Sequence, residues 1–149
     1  MSWLGKVGSG LGIICIPITL WICGHPSYVI GSSMQPTLSG TDAKWWKRDV
    51  VWINRYARYS QPQLGDVIAF IYPQDPKKTH IKRIAHGPGT IITSEGNKIV
   101  QIVPENHYWM VSDNPYRAND SNLYGPVNQG LFKGKATYVL WPPEHWRKI

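Results

Sequence analysis

The chain has 149 residues, which is the usual length of one folded domain. Its hydrophobic content of 42% is too high for a disordered chain, and two cysteines are too few for a disulfide-stapled scaffold or a zinc module built on cysteines. The net charge of +7 is compatible with an anionic partner, either nucleic acid or a membrane surface.

An uncharged segment, Val7–Cys23, lies near the amino terminus. Its length is at the lower limit of the roughly 17–25 residues that cross a membrane as a helix. A retained anchor is favoured over a cleaved signal peptide, because no A-x-A-like cleavage site follows, and over a core helix, because the segment has no polar face. Lys6 precedes it, so the positive-inside rule places the short N-terminus on the inner face. We predict an N-terminal membrane anchor over residues 1–25, with one transmembrane helix, and a second domain over residues 26–149.

Beyond residue 25 the sequence consists of short apolar runs separated by Gly, Pro, Asn and Asp. No window in this part has a sustained helical period, and the runs are rich in the β-branched and aromatic residues that strands favour. The tripeptide Glu95-Gly96-Asn97 predicts a tight hairpin turn. The fold class is therefore mostly β, with folded sheets or a partly closed barrel. The predicted strands are Tyr28–Gly31, Asp49–Asn54, Asp66–Tyr72, His80–Ala85, Thr90–Ser94, Lys98–Val103, Tyr108–Ser112 and Ala136–Trp141.

Two clusters contain residues suited to nucleophilic catalysis. Gly31 and Pro36 bracket Ser33, which predicts that this serine lies on a constrained loop, although a simple turn explains the Ser-Ser pair equally well. Lys82 lies in a β-like run, where a side chain points either to solvent or into the core, and the solvated orientation is the commoner for a single lysine. Burial would lower the pKa of the lysine, and its neutral amine could then take a proton from a serine hydroxyl.

A third cluster, residues 112–127, is dense in side chains that make local hydrogen bonds and set turns. A loop of this kind can hold a neighbouring strand in register, and it can also orient a catalytic amine.

Other chemistries find less support in the sequence. A Ser-His-Asp hydrolase lacks the G-x-S-x-G motif, and a metal site lacks H-E-x-x-H spacing. The basic and aromatic segment Lys44–Arg48 could stack single-stranded nucleic acid, but beside an anchor it is better interpreted as a belt at the membrane interface. We therefore expect contact with membrane lipid, and no nucleic acid, metal or cofactor.

Four motifs, in order along the chain, resemble those of the type I signal peptidases. Ser33–Thr37 reads S-M-Q-P-T and resembles the S-M-x-P-[TS] nucleophile box, and Leu64–Ile68 resembles the G-D-[VI] strand of that family. Ile81–Ile84, followed by Gly87–Gly89, resembles the box that carries the lysine base. Ser112–Ser121 resembles the G-D-N-x-x-x-S-x-D-S-R box.

The resemblance implies a fold of coiled antiparallel β-sheets and a serine endopeptidase with a Ser-Lys dyad. Ser33 would be the nucleophile and Lys82 the general base. The backbone N–H of Ser33 would help to hold the oxyanion, while Met34 and Pro36 would shape the loop. Four further residues would be structural supports of the dyad: Asp113, Asn114, Asp120 and Ser121.

The stretch Asp120–Val127 and the tail Leu140–Trp146 resemble the mitochondrial inner membrane proteases of this family. That likeness implies a single-pass inner membrane protein with its catalytic domain in the intermembrane space, precursor substrates cut after a small residue, and a heterodimer with the homologous subunit 1. Two positions depart from the family pattern. Gly31 replaces the second oxyanion donor of some bacterial members, so that donor is not identified by the sequence. Ala118 replaces a serine that orients the lysine in the family, which favours one alternative, a weak or inactive paralogue that stabilises a partner. The other alternative is a bacterial-type signal peptidase I.

Overall fold

The computed structural model describes residues 23–41, 44–56, 60–93 and 100–149. The described residues form ten strands, and every pair of strands is antiparallel. The strands are β1 (Gly24–Tyr28), β2 (Val50–Asn54), β3 (Val67–Ile71), β4 (Thr79–His86), β5 (Ile91–Thr93), β6 (Val100–Ile102), β7 (His107–Val111), β8 (Val127–Asn128), β9 (Phe132–Trp141) and β10 (Arg147–Lys148). The described helical segments are all short: Trp45–Lys47, Pro115–Arg117, Ser121–Tyr124, Gln129–Leu131 and Pro143–His145.

Eight strands form one sheet in the order β1-β2-β9-β3-β4-β7-β8, with β10 pairing with β9, and β5 and β6 form a separate ribbon. The central strand β3 is a continuous apolar run, and both of its faces are buried. Val67 and Ala69 pack into one core cluster, while Ile68 and Phe70 pack into a second. The sheet is therefore covered on both sides around β3, whereas an antiparallel sheet commonly leaves one face in solvent. The predicted mostly β, antiparallel fold class is confirmed.

The predicted strand Tyr28–Gly31 was wrong in its bounds, because β1 runs from Gly24 to Tyr28. Gly24 pairs with Asn54 of β2, so the sheet begins before residue 26, while Gly31 adopts a φ of 94° that no strand residue has. Pro26 is tolerated within β1 because this strand lies at an end of the sheet. The start of β1 depends on its partner β2, which local composition does not reveal.

Strand β9 begins at Phe132, four residues before the predicted start at Ala136. Of the four residues that sequence reasoning left out, Lys133, Gly134 and Lys135 are poor strand formers. Gly134 is needed there because a Cβ atom at this position would lie 2.5 Å from the carbonyl oxygen of Asn54. Close approach of two strands, and not local propensity, therefore sets the beginning of β9.

Most other predicted strands are confirmed to within a few residues. The hairpin turn predicted at Glu95–Asn97 lies outside the described residues, although the flanking strands β5 and β6 pair with each other. The predicted anchor Val7–Cys23 also lies outside them, apart from Cys23. Within the described ranges, no helix has the length and apolar character needed to cross a bilayer.

Candidate active site

Ser33 lies on a loop whose two ends are joined by a β-bridge between Gly31 and Gly40. The Gly31 N–H donates to the Gly40 carbonyl at 3.2 Å. A Cβ atom on Gly40 would lie 2.6 Å from the carbonyl oxygen of Gly31, and the φ of 94° at Gly31 is one that L side chains rarely adopt. Both glycines are therefore required by the way this loop closes.

Apolar side chains fix the loop to the core beneath it. Met34 and Leu38 are 1% and 0% exposed and belong to the cluster that contains Val67. The Leu38 N–H also donates to the Met34 carbonyl at 2.7 Å. Pro36 lies exposed between them and follows a cis peptide bond. Ser33, next to Met34, is only partly buried, so its hydroxyl sits at the boundary between core and solvent.

Asn114 ties this loop to the segment after β7. Its side-chain amide donates to the Ser32 carbonyl at 3.0 Å, and its backbone N–H donates to the Ser33 carbonyl at 3.0 Å. Both contacts hold the backbone of the serine pair and leave the Ser33 hydroxyl unengaged among the described residues. Asn114 therefore links the backbone of the Ser33 loop to the segment after β7.

Lys82 points into the protein from β4, opposite Ile68 of β3, and is 3% exposed. Desolvation by burial lowers the pKa of its amine to about 8, and the carboxylates of Asp120 and Asp113 oppose part of that effect. Within the described residues its amine makes no hydrogen bond or ion pair, with Ser33 or with any other residue. The inward orientation expected for a catalytic lysine is therefore present.

Arg83, the residue after Lys82, joins the lysine motif to the other three motifs. Its guanidinium binds the Asp113 carboxylate in a bidentate manner, with N–O distances of 2.9 and 2.7 Å. It also donates to the Gly65 carbonyl at 2.8 Å and to the Thr37 hydroxyl at 3.2 Å. Burial raises the pKa of Asp113, but hydrogen bonds and charge attraction from Arg83 outweigh it, so the net pKa is lowered. Sequence reasoning missed this arginine, although it lies within the lysine motif.

Asp120 and Ser121 are buried polar residues that organise the loop after β7. The Asp120 carboxylate accepts hydrogen bonds from the backbone N–H groups of Ser112 at 2.9 Å and of Asn122 at 3.1 Å, so it caps the short helix that follows. The Ser121 hydroxyl accepts from the Met110 N–H of β7 at 2.9 Å. These bonds satisfy backbone groups of β7 and of the loop that follows it, and they keep the Asp120 charge within electrostatic reach of Lys82.

Ser33 and Lys82 line the same cavity, which has a volume of about 380 Å³. Two stretches of chain, residues 27–30 at β1 and residues 79–82 in the first half of β4, contribute most of its lining residues. The side chains of His80 and Asn119 add polar groups that sequence reasoning did not assign to a site. The other lining residues are Val51, Ile53 and Ala69.

The structure also contains a histidine–carboxylate pair that sequence reasoning missed. His145 Nδ1 lies 2.7 Å from Asp49 Oδ1, and the Asp49 side chain is fully buried. The two residues are 96 positions apart, so no local sequence motif indicates the contact. Across the described ranges, no group of three or more His, Cys, Asp or Glu residues is arranged to hold a metal ion.

The segment Lys44–Arg48 forms an exposed aromatic surface together with Trp141 at the end of β9. Trp45 and Trp46 are 63% and 46% exposed, and the Trp46 carbonyl accepts a hydrogen bond from the indole of Trp141. The Lys44 amine lies 5.7 Å from the centre of a Trp46 ring. Exposed indoles beside lysines are the composition expected at a membrane interface.

Comparison with known proteins identifies the family. Residues 1–102 match the family model described as signal peptidase, peptidase S26. The chain is 34% identical to mitochondrial inner membrane protease subunit 2 of Danio rerio, over 91% of this chain and 76% of that protein. It is 35% identical to subunit 2 of Saccharomyces cerevisiae, over 91% and 80%, and 38% identical to subunit 2 of Mus musculus, over 81% and 69%. The chain therefore belongs to the signal peptidase family, peptidase S26.

Proposed function

We propose that this chain is a membrane-bound serine endopeptidase that removes sorting or signal sequences from imported precursor proteins at the mitochondrial inner membrane. Ser33 is the proposed nucleophile and Lys82 the proposed general base. The observation that carries the proposal is a 3% exposed lysine, with its pKa lowered to about 8, in the wall of the cavity that Ser33 also lines. An ordinary lysine is protonated at neutral pH and cannot accept a proton.

In the acylation step the neutral Lys82 amine takes the proton of the Ser33 hydroxyl while Oγ forms a bond to the scissile carbonyl carbon. The carbonyl oxygen then becomes an oxyanion. The Ser33 N–H has no acceptor among the described residues and is available to donate to it. When the C–N bond breaks, the Lys82 ammonium gives its proton to the leaving amine, which leaves an acyl-enzyme and a neutral lysine.

Deacylation reverses these roles with water in place of the amine. Lys82 takes a proton from a water molecule as the water oxygen attacks the ester carbon. The ester C–O bond then breaks, and the proton returns to Ser33 Oγ as the carboxylic acid product leaves. One water is consumed, the dyad is restored, and no cofactor takes part in the cycle.

The two backbone stretches in the cavity wall support an extended peptide as the substrate. Pairing of β4 with β7 involves only the residues from Arg83 onwards, and β1 lies at the end of the sheet order. Backbone N–H and C=O groups along residues 79–82 and along the edge of β1 can therefore add a peptide as a strand. A small residue before the scissile bond is the proposed preference, as the family resemblance implies.

The proposed location combines the anchor with the aromatic surface. Val7–Cys23 is proposed to cross the inner membrane once, with Lys6 on the matrix side and the catalytic domain in the intermembrane space. Trp45 and Trp46 would then contact the lipid surface. Because several relatives are named as subunits 1 and 2 of one protease, we propose a homologous partner subunit for this chain.

A second function is favoured by Ala118, which stands where the family has a serine that orients the lysine. Without that hydroxyl, the Lys82 amine has no hydrogen-bonding partner among the described residues. A chain with a poorly oriented base could act mainly by stabilising a catalytic partner subunit, as the weak-paralogue alternative requires.

A cleavage assay separates these two functions. The purified full chain in detergent, alone and with a subunit 1-type homologue, is mixed with a precursor that carries a sorting segment, and the new N-terminus is identified by mass spectrometry. We expect one cut after a small residue, and no cut in a control precursor with Trp at that position. A chain that cuts no precursor alone or in the complex, but accelerates cutting by its partner, would support the stabilising role instead.

A further inference from the structure

We propose that the C-terminal tail, residues 142–149, positions the loop that carries Ser33, and that His145 and Arg147 are positioning residues for cleavage. The inference rests on the proposed function, since it assumes that Ser33 is the nucleophile. Neither residue lines the cavity, so both would act through the loop and not on the substrate.

Asp49 is the link between the tail and the loop. One oxygen of its carboxylate accepts a hydrogen bond from the Ser39 N–H at 2.8 Å, and the other lies 2.7 Å from His145 Nδ1. The Asp49 N–H also donates to the Ser39 carbonyl at 2.8 Å, and its carbonyl accepts from the Val29 N–H at 2.9 Å. Because this carboxylate is 0% exposed, it depends on the Ser39 N–H and on the His145 ring for the stabilisation that water would otherwise supply.

Arg147 makes a second, independent contact between the tail and the loop. Its guanidinium donates to the Thr37 carbonyl and, at 3.2 Å, to the His145 carbonyl. Thr37 and Ser39 follow the proposed nucleophile by four and six residues. The tail therefore contacts the second half of the loop at two points.

The tail is itself held in place by β9, so it can fix the position of the loop. Arg147 and Lys148 form β10, which pairs with Val139 and Tyr138 of β9. The Trp146 indole donates to the Leu140 carbonyl of the same strand at 2.6 Å. A segment tied to the longest strand of the sheet can hold the loop more rigidly than a free terminus could.

Two sets of contacts thus hold the loop. Asn114 and Arg83 contact it at Ser32, Ser33 and the Thr37 hydroxyl. The tail contacts it at the backbone of Thr37 and, through Asp49, of Ser39. Losing one set would let the Ser33 hydroxyl move relative to the amine, and displacements of about 1 Å can reduce rates by about 100-fold.

The test compares His145→Ala and Arg147→Ala with wild type in the full chain, assembled as in the active preparation, using a precursor peptide. We expect kcat to fall by about 10-fold or more in each variant, because alignment is lost, while KM stays within about twofold, because the cavity wall is unchanged. His145→Asn places an amide N–H where Nδ1 stands and should recover most of the rate. Lys148→Ala changes an exposed side chain of the tail that makes no hydrogen bond or ion pair among the described residues, and it keeps the backbone pairing of β10, so it should leave kcat unchanged.

Each other outcome overturns the inference. Unchanged kcat in both alanine variants, a rise in KM alone, or no recovery with His145→Asn would show that the tail does not align the loop. Equal losses in Lys148→Ala, or losses that disappear once rates are expressed per folded molecule by near-UV circular dichroism, would show general destabilisation. Ser33→Ala is run in the same assay. If it cleaves normally, the proposed function fails, whereas loss of cleavage in Ser33→Ala with unchanged tail variants rejects only the positioning role.

Discussion

Lys82→Met is expected to abolish cleavage and to stabilise the folded chain at the same time. Methionine fills a similar volume at this 3% exposed position without a desolvated charge. Cleavage should fall by about 10³-fold, which is within the range that a positioned general base contributes. A loss of activity caused by unfolding would lower stability, so the opposite signs of the two effects identify a functional lysine.

The size of the stability gain follows from the pKa of Lys82. That pKa is lowered from 10.5 to about 8, so at pH 7 the folded state holds a buried ammonium that the unfolded chain would solvate. Since one unit of pKa corresponds to ~1.4 kcal/mol, removing the amine should raise the free energy of unfolding by about 3 kcal/mol. The gain is complete below pH 8 and should disappear between pH 8 and pH 10.5, where the folded wild type is already neutral.

Thermal unfolding of both proteins in the same detergent, at pH 7 and pH 10.5, measures this difference. Lys77→Met, a change at an exposed lysine on the preceding turn, is the matched control and should alter neither cleavage nor stability. Retention of cleavage in Lys82→Met would remove the proposed base. A loss of stability at pH 7 would show that the amine has partners that favour its charged form.

Ser33→Ala is expected to lower cleavage by about 10⁴-fold or more, because the covalent route is closed when the proposed nucleophile is removed. Its fold should persist, since the loop is held by backbone contacts at Ser32 and Ser33 and by the buried side chain of Met34. Because the variant does not turn over, its peptide affinity is measured directly by binding. It should bind a precursor peptide with the affinity of the wild type.

Ser32→Ala is the control for this change, because no hydrogen bond of the Ser32 hydroxyl is present in the described part of the chain. It should retain most of the wild-type cleavage rate. If Ser32→Ala lost cleavage and Ser33→Ala retained it, the nucleophile would be Ser32. If both cleaved normally, the chain would have no serine mechanism at this loop.

Much of the candidate site could be predicted from local sequence. The loop around Ser33 is determined by glycines and a proline whose backbone requirements are visible in the sequence, and Gly31 and Gly40 close it as a bridge. The segment of residues 112–127 was expected to set turns through its polar side chains, and Asp120 and Asn114 do so. Local hydrogen bonding and backbone conformation govern these features, and both are determined by a few neighbouring residues in the sequence.

The orientation of Lys82 was less certain from local pattern, since strand residues alternate and a lone lysine usually faces solvent. The resemblance to signal peptidases supplied the inward orientation, and the 3% exposure agrees with it. The catalytic role of the amine stays a prediction. Because burial of a lysine costs free energy, lysines usually face solvent. A sequence rule based on that average therefore predicts the wrong orientation for Lys82.

The contacts between distant segments could not be predicted from sequence. The pairs Asp49–His145 and Arg147–Thr37 join residues that are 96 and 110 positions apart in the sequence, and their proximity depends on the pairing of β9 with β2 and of β10 with β9. The true start of β1 has the same origin, because it is set by register with β2. Such features arise from the packed sheet, and no local window of the sequence contains both partners.

The central claim is that a neutral Lys82 amine activates Ser33, and the pH dependence of the single-turnover cleavage rate tests it most directly. Between pH 5.5 and pH 10 the wild-type rate should rise tenfold per pH unit and level off above a midpoint at about 8, the pKa of the buried amine. A rate that is independent of pH over this range, or one with a midpoint near 6.5, as expected for an ordinary histidine base, would contradict the proposed dyad.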